Sequence, residues 1–216
     1  KMEKIIVNQN TKVITEIELQ ELLENLWDYA GRDLMVNGKE VRFYQDDIAE
    51  CPLDWDCNPT FLSLLKRWKL GTKEVYDEDG ECYTIPDDFD FPEDIEAFLE
   101  KNGYIFKRVY GYSHGGLSLA LEGHCPANFS CPFDSGLAGF LIARKSDIRE
   151  WYNTSRITPK LKEKVFLQWN AIINDTDSWV NGDVWFVEVD EEYYSCYGSS
   201  CLKKTLQDVL KEVKSA

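Results

Sequence analysis

The stretch YIFKRVYGYSHGGLSLALEG, residues 104–123, decides the fold class. Tyr104 to Tyr112 and Leu117 to Gly123 have the apolar and β-branched composition of strands. Between them, Ser113-His114-Gly115-Gly116 offers the paired glycines that suit a tight turn with positive φ. The stretch therefore predicts an antiparallel β-hairpin with His114 at its tip.

The rest of the chain mixes short strands with amphipathic helices and has no internal repeat. Further predicted strands are Lys4 to Asn8, both sides of the Asn37-Gly38 turn, Ala138 to Ala143, and Asp183 to Val189. Predicted helices are Leu19 to Ala30 behind a Thr15/Glu18 capping box, Thr60 to Leu70, Pro92 to about Gly103, Thr158-Pro159 to Ile173, and Leu202 to Val213. Hairpins with interspersed helices predict an α+β fold with a mainly antiparallel sheet.

Length and composition are those of a globular chain with a sizeable core. The 216 residues are 44% hydrophobic and 13% aromatic. We divide them into a helix and hairpin region, residues 1–50, and a main α+β body, residues 51–216, with one single domain as the alternative. No apolar run is long enough to span a membrane, and the opening KMEKIIVNQN has no secretory stretch. We therefore expect a cytoplasmic protein with reduced thiols.

The net charge of -15 is concentrated in residues 74–100, which we treat as an acidic insert. This segment holds twelve Asp and Glu residues and no Lys or Arg. Such a field repels nucleic acid and attracts a basic protein surface. We expect partner binding through Asp77, Glu78, Asp79, Asp87, Asp88 and Asp90, with no direct nucleic-acid or membrane contact. The alternative is a solvated loop that only keeps the protein soluble.

The run from Tyr110 to Phe140 gathers both histidines and two cysteines. A Cys-His hydrolase needs a thiolate, an imidazole that takes its proton and a group that orients the imidazole. Cys131, His114 and Asp134 supply these types, and Ser135 is a weaker nucleophile candidate. The alternative is a packed turn at residues 131–136, with Phe129 and Phe133 buried and the Asp134 carboxylate accepting backbone N–H groups.

A zinc site is the other chemistry that this run offers. His114, His124, Cys125 and Cys131 are acceptable ligands. However, the paired cysteines in structural zinc sites are usually two to four residues apart, whereas Cys125 and Cys131 are separated by five residues. No phosphate-binding Gly-rich loop or dinucleotide fingerprint is present either. We therefore expect no bound metal and no cofactor.

Several motifs resemble an uncharacterised family of bacteriophage and mobile-element proteins. Its pattern reads His-Ser-Gly-Ile-Thr, then Pro-Phe-Ser-Cys-Pro-Trp-Asp-Ser-Gly-Gln-Val-Gly-Phe-Ile, and this chain has YSHGGLSL at 112–119 and NFSCPFDSGLAGFLIA at 128–143. Shorter matches are DWDCN at 54–58, RWKLG at 67–71, VNGDVW at 180–185 and SCYG at 195–198. Gly115 stands where the family has Ser.

The resemblance implies a role that is common among proteins encoded by phages and mobile elements. It does not imply a particular reaction. Small acidic accessory proteins of phages and conjugative elements often bind a host nuclease or its nucleic-acid groove. We therefore expect an inhibitor of a bacterial defence system, of the anti-CRISPR or antirestriction type, that acts by occluding such a groove. A Cys-His hydrolase or modifying enzyme centred on Cys131 is the alternative. A structural or metabolic accessory protein is a third.

Overall fold

The computed structural model describes residues 4–7, 13–56 and 58–211. The strands are β1 (Lys4–Val7), β2 (Val13–Glu16), β3 (Leu34–Val36), β4 (Lys39–Gln45), β5 (Thr60–Ser63), β6 (Glu74–Tyr76), β7 (Cys82–Thr84), β8 (Tyr104–Tyr112), β9 (Ser118–Leu121), β10 (Ser135–Arg144), β11 (Val184–Val189) and β12 (Glu192–Tyr197). The helices are α1 (Leu19–Glu24), α2 (Leu26–Tyr29), α3 (Pro92–Lys101), α4 (Lys145–Trp151), α5 (Pro159–Val180) and α6 (Ser199–Leu210). The predicted α+β class with mainly antiparallel pairing is confirmed.

The described residues form two compact units, one up to Ala49 and from Gly182 onwards, the other from Glu50 to Asn181. The sequence-based division had kept residues 51–216 together. In the structure, the described residues after 181 return to the first unit because five residues of β11 pair with β4, from Trp185 opposite Gln45 to Val189 opposite Val41. The second unit is thus inserted in the chain of the first.

The first unit is a six-stranded sheet, in the order β1-β2-β3-β4-β11-β12, with helices over one face. Only the β2–β3 pair is parallel among the described strands. Phe43 and Trp185 point from the sheet into a core that Leu22, Leu202 and Leu206 complete from the helices. Leu202, Leu206 and Leu210 recur every four residues, so they form one apolar stripe along α6.

The second unit contains an antiparallel sheet in the order β5-β10-β8-β9 that is covered on both faces. Trp169 and Ile173 of α5 belong to one core, together with Leu141. Ile95 and Leu99 of α3 belong to the other, together with Phe140. Successive residues of β10 therefore face different cores, which is why Ala138 to Ala143 is apolar without alternation.

Two predicted hairpins are present. Asn37 and Gly38 join β3 to β4 with φ of 50° and 80°, the pair of positive values that a type I′ turn needs. Residues 113–117 join β8 to β9, and Gly115 has a φ of 85° at the tip. The predicted strands from Ala138 and Asp183, and the predicted helices that begin near Pro92, Pro159 and Leu202, also form.

The predicted helix from Thr60 to Leu70 is wrong. Thr60 to Ser63 form β5, and residues 64–71 are neither helix nor strand. Phe61 and Leu62 are both apolar because they face the two different cores, so their pattern imitates a helical one. The ammonium of Lys73 donates to the carbonyls of Ser63 and Leu65, at 2.6 and 2.8 Å, which satisfies backbone groups that a helix would have used.

The predicted capping box is wrong as well. Thr15 lies in β2, opposite Leu34, and its N–H donates to the carbonyl of Asp33. The helix begins at Leu19 with Glu18 as its N-cap, without a side-chain hydrogen bond, and it is broken between α1 and α2 at Asn25. Pairing with β3 therefore overrides the local capping signal.

Candidate functional site

The acidic insert is a folded surface. Its β6 and β7 pair as a hairpin, α3 follows, and Val75, Ile85, Ile95 and Leu99 anchor both in a buried core. The rings of Tyr83, Phe89 and Phe98 contact one another, with centroid separations of 4.8 to 6.3 Å. Of the five aromatic residues that alternate with the acidic ones in the sequence, these three thus form a packed cluster, while Tyr76 and Phe91 are exposed.

Some of the carboxylates hold this surface together. Asp77 accepts from the N–H groups of Asp79 and Glu81, at 3.0 and 2.8 Å, and Asp88 accepts from Thr84 N–H at 2.7 Å. These are turn-stabilising contacts. Two of the six residues predicted to bind a partner, Asp77 and Asp88, therefore have a structural task.

An ion pair and two hydrogen bonds to backbone carbonyls also join the insert to the sheet. The guanidinium of Arg108 on β8 donates to both carboxylate oxygens of Glu96, at 2.6 and 2.9 Å. Arg144 of β10 donates to the carbonyls of Tyr76 and Asp77, at 3.1 and 2.7 Å. Such bidentate contacts restrict both partners geometrically. They fix α3 against β8 and the start of the β6–β7 turn against the end of β10, within the second unit.

The other four predicted residues form what we call the acidic face: Glu78, Asp79, Asp87 and Asp90. All four are exposed. Within the described part of the chain, no donor forms a hydrogen bond or ion pair with their carboxylates. Tyr76 and Phe91, which are 43% and 65% exposed, lie in the same segment. The arrangement provides uncompensated negative charge and exposed aromatic rings on an ordered scaffold.

The structure also brings His114, Cys131 and Asp134 together. Asp134 Oδ2 lies 3.5 Å from His114 Nδ1 and 3.6 Å from Cys131 Sγ. The loop is attached to the hairpin tip because Ser113 N–H donates to the Asp134 carbonyl at 2.7 Å. Ser135, the weaker nucleophile candidate, is engaged because its hydroxyl donates to the Cys131 carbonyl.

The order of these groups is not the one that thiol catalysis uses. In a Cys-His pair the imidazole takes the thiol proton, whereas here the Asp134 carboxylate is the group that faces Cys131. The His114 side chain is 74% exposed, and its ring lies nearly parallel to that of Tyr112 at 6.1 Å. The Asp134 carboxylate can orient the His114 imidazole. Among the described residues, however, no hydrogen bond joins that imidazole to the Cys131 thiol.

The packed-turn alternative needs correction at Phe133, which is 93% exposed and not buried. Phe129 is half-buried against Tyr112, with a centroid separation of 5.8 Å. The Asp134 carboxylate has Cys131 and His114 as partners in place of backbone N–H groups. Phe133 is therefore a solvent-exposed aromatic ring next to the cluster.

Three of the other thiols, those of Cys51, Cys125 and Cys196, are in settings that disfavour the thiolate. Burial raises the pKa of Cys51, and it raises the pKa of Cys196 to about 11. Burial, and then the charge of Glu122, raises the pKa of Cys125. The six cysteines that the structure describes are free, and the described residues contain no group of three His, Cys, Asp or Glu side chains placed to hold a metal ion.

The structure also contains a cavity that the sequence did not predict. It has a volume of about 480 Å³ and lies in the second unit between residues 55, 56, 58 and 59, the end of α4 and one side of α5. Trp55, Trp151, Trp169 and Asp175 contribute to its wall. The seven tryptophans of the chain are a sequence signal for an aromatic site. Only the tertiary structure, however, shows which of these distant positions lie together.

No protein-family model matches this chain, and the comparisons with curated proteins and with solved structures found no significant match either. The resemblance to phage and mobile-element proteins therefore stays a prediction. Among the described helices, none is long and apolar enough to cross a membrane.

Proposed function

We propose that this protein binds a basic partner protein through the acidic face and thereby blocks a groove that would otherwise hold nucleic acid. The observation that carries the proposal is the set of exposed carboxylates of Glu78, Asp79, Asp87 and Asp90, which have no partner among the described residues and stand on a folded scaffold. Charge complementarity steers association and selects the partner. Nucleic acid itself would be repelled by the same charges.

Order in the insert favours binding over a purely solubilising role. A disordered acidic loop loses conformational entropy when it binds, whereas carboxylates held by the contacts of Asp77, Asp88 and Arg108 are already in place. The exposed rings of Tyr76 and Phe91 supply apolar anchors of the kind that dominate interface energetics. Charge and anchors lie in one short segment.

The resemblance to phage and mobile-element proteins supports a specific class of partner. A nuclease of a bacterial defence system, CRISPR-associated or restrictive, has a basic groove for nucleic acid and would meet this protein in the cytoplasm of the host. The acidic face would occupy that groove in place of phosphates. The protein would then inhibit the nuclease stoichiometrically, by remaining bound in the groove, and would not act as a catalyst.

The test is inhibition of DNA cleavage by purified CRISPR effectors and restriction endonucleases. The key variant carries Glu78→Gln, Asp79→Asn, Asp87→Asn and Asp90→Asn, which leaves the turn carboxylates intact. The control carries Asp47→Asn, Glu150→Gln, Glu163→Gln and Glu191→Gln, four exposed residues outside the insert, so that both variants have the same net charge. Both should fold as the wild type does.

We expect one-to-one inhibition by the wild type, relieved by added DNA and weakened by salt because the contacts are screened. The key variant should bind at least about tenfold more weakly, and the control should bind about as well as the wild type. Equal loss in both variants would contradict a localised acidic face. Inactivation of excess target, abolished by Cys131→Ser, would instead support the enzyme alternative.

A further inference from the structure

The cavity of the second unit has the dimensions and lining of a small-molecule site. Its volume of about 480 Å³ is within the usual range for ligand pockets. One side of α5 provides Val165, Trp169, Ile172 and Asp175. These positions are three or four residues apart, so they project from the same face of the helix.

Four aromatic residues contribute to the walls. Trp55 comes from the loop before β5, Trp151 and Tyr152 come from the end of α4, and Trp169 comes from α5. Indole faces carry the negative part of the ring quadrupole and attract cations. The rim already shows this preference, because the ammonium of Lys164 lies 5.2 Å from the centre of the Tyr152 ring.

The charged residues that line the cavity are acidic. Asp175 and Asp56 both line the cavity, and no Lys or Arg does. Asp175 is half-buried on α5, and no described residue donates a hydrogen bond to its carboxylate or forms an ion pair with it. Burial raises the pKa of Asp175, as expected for a carboxylate partly removed from water. A half-buried acid without a partner lacks compensation for its lost hydration.

We propose that this cavity binds an organic ammonium ion with an apolar body. The ammonium group would pair with Asp175 while the hydrocarbon part would pack against Trp151 and Trp169. Anions are disfavoured by the two carboxylates, and a neutral ligand would leave Asp175 without a counter-charge. This inference is independent of the acidic face, whose residues do not line the cavity.

The test uses phenethylammonium and its neutral counterpart of similar size, 2-phenylethanol, in calorimetric titrations of the 216-residue chain. We expect saturable one-site binding of phenethylammonium and at least about tenfold weaker binding of the alcohol. Equal affinity for the two ligands would overturn the charge argument. Absence of binding to the amine would overturn the proposal.

Variants assign the binding to named residues. Asp175→Asn should weaken the amine at least about tenfold and leave the alcohol unchanged, while Glu163→Gln, an exposed acid on the same helix, should change neither. Trp151→Leu should weaken both ligands by removing the aromatic wall. Circular dichroism checks folding. Undiminished amine binding in both Asp175→Asn and Trp151→Leu would place the site elsewhere and overturn the assignment.

A lysine-containing peptide distinguishes the source of the cation. Tighter binding of the peptide than of phenethylammonium, with the same loss in Asp175→Asn, would support the cation chemistry and assign the cavity to a partner's side chain. Weaker binding of the peptide would support a free amine. Failure of the acidic-face experiment affects neither result, because the two sites share no residue.

Discussion

Gly71 and Gly115 both have positive φ, +70° and +85°, but only Gly71 is enclosed. A Cβ at Gly71 would lie 2.2 Å from the Phe61 carbonyl oxygen, whereas nothing lies within 4 Å of one at Gly115. We expect Gly115→Ala to lower the free energy of unfolding by about 1 kcal/mol, the cost of the left-handed conformation. Gly71→Ala should lower it by more than about 2 kcal/mol, because a backbone collision is added.

Urea unfolding followed by circular dichroism measures both losses, and each variant is the control for the other. Equal losses would show that conformation alone explains both glycines. A larger loss in Gly115→Ala would contradict the enclosure of Gly71.

The cluster of His114, Cys131 and Asp134 shows how far sequence reasoning reaches at the level of single residues. Their proximity was a reasonable prediction because the hairpin tip and the loop before β10 are close in sequence, and Tyr112 pairs with Ser135 in the sheet. Which group faces the thiol was not predictable, since it depends on side-chain geometry within an irregular loop. The aromatic cavity was missed because Trp55 and Asp175 meet only through tertiary packing.

Elements with strong local signals were predictable. The Asn37-Gly38 turn specifies its own hairpin, and Thr158 caps α5 by accepting from Leu161 N–H at 3.2 Å, ahead of Pro159 in the first turn. Elements that depend on distant pairing were not. Strand β5 is stabilised by β10, which lies far along the chain, and its short apolar sequence has no period that separates a strand from a helix.

Helix α6 depends on a residue outside itself. Its N-cap is Gly198, which has no side chain to offer, and Asp183 replaces that function. The Asp183 carboxylate accepts from the N–H and the hydroxyl of Ser199, at 2.8 and 2.6 Å, and from the Trp185 indole at 2.8 Å. One carboxylate thus joins the start of α6 to the core residue Trp185.

Asp183→Asn should therefore destabilise the first unit by about 1–3 kcal/mol at neutral pH. Burial raises the pKa of Asp183, but the hydrogen bonds from Ser199 and Trp185 outweigh it, so its pKa lies below the usual value. A lowered folded-state pKa means that the stabilisation is complete above the unfolded-state value of about 4 and is lost as the pH falls through the folded-state pKa.

The measurement is the difference in unfolding free energy between wild type and Asp183→Asn at pH values from 7 to 3. We expect a constant difference at the upper end and a shrinking one below about pH 4. Asp47→Asn, at an exposed position of the same unit, should give no difference throughout. A difference that grows on acidification would contradict the assigned direction of the pKa.

At the scale of the whole molecule, the two units differ in the segments of the chain that form them. The second unit is a continuous segment, and its sheet, α3 and α5 enclose cores formed by its own residues. The first unit is built from both ends of the chain, because Phe43 and Trp185 share one core. Sequence alone did not reveal this, since β11 has no local feature that identifies β4 as its partner.

Because of this difference, we expect the two parts of the chain to differ in whether they fold when each is expressed alone. Residues 50–181 expressed alone should unfold cooperatively, because the described strands and cores of that unit have their partners within these residues. Residues 1–49 alone should not, because β4 would lose β11 and the core would lose Trp185 and α6. Joining residues 1–49 to 182–216 through a short Gly-Ser linker should restore a cooperative transition.

The linker can be short because the two ends already meet in the sheet. Asp46 N–H donates to the Val184 carbonyl at 2.8 Å, and the Gln45 side chain donates to the Gly182 carbonyl at 3.2 Å. Urea unfolding followed by far-ultraviolet circular dichroism tests all three fragments. Near-ultraviolet circular dichroism adds a probe of tertiary packing, because Trp169 is buried in residues 50–181 and Trp185 is buried in the joined fragment. A cooperative transition in residues 1–49 alone, or its absence in 50–181, would show that the division of the chain into units does not correspond to independent folding.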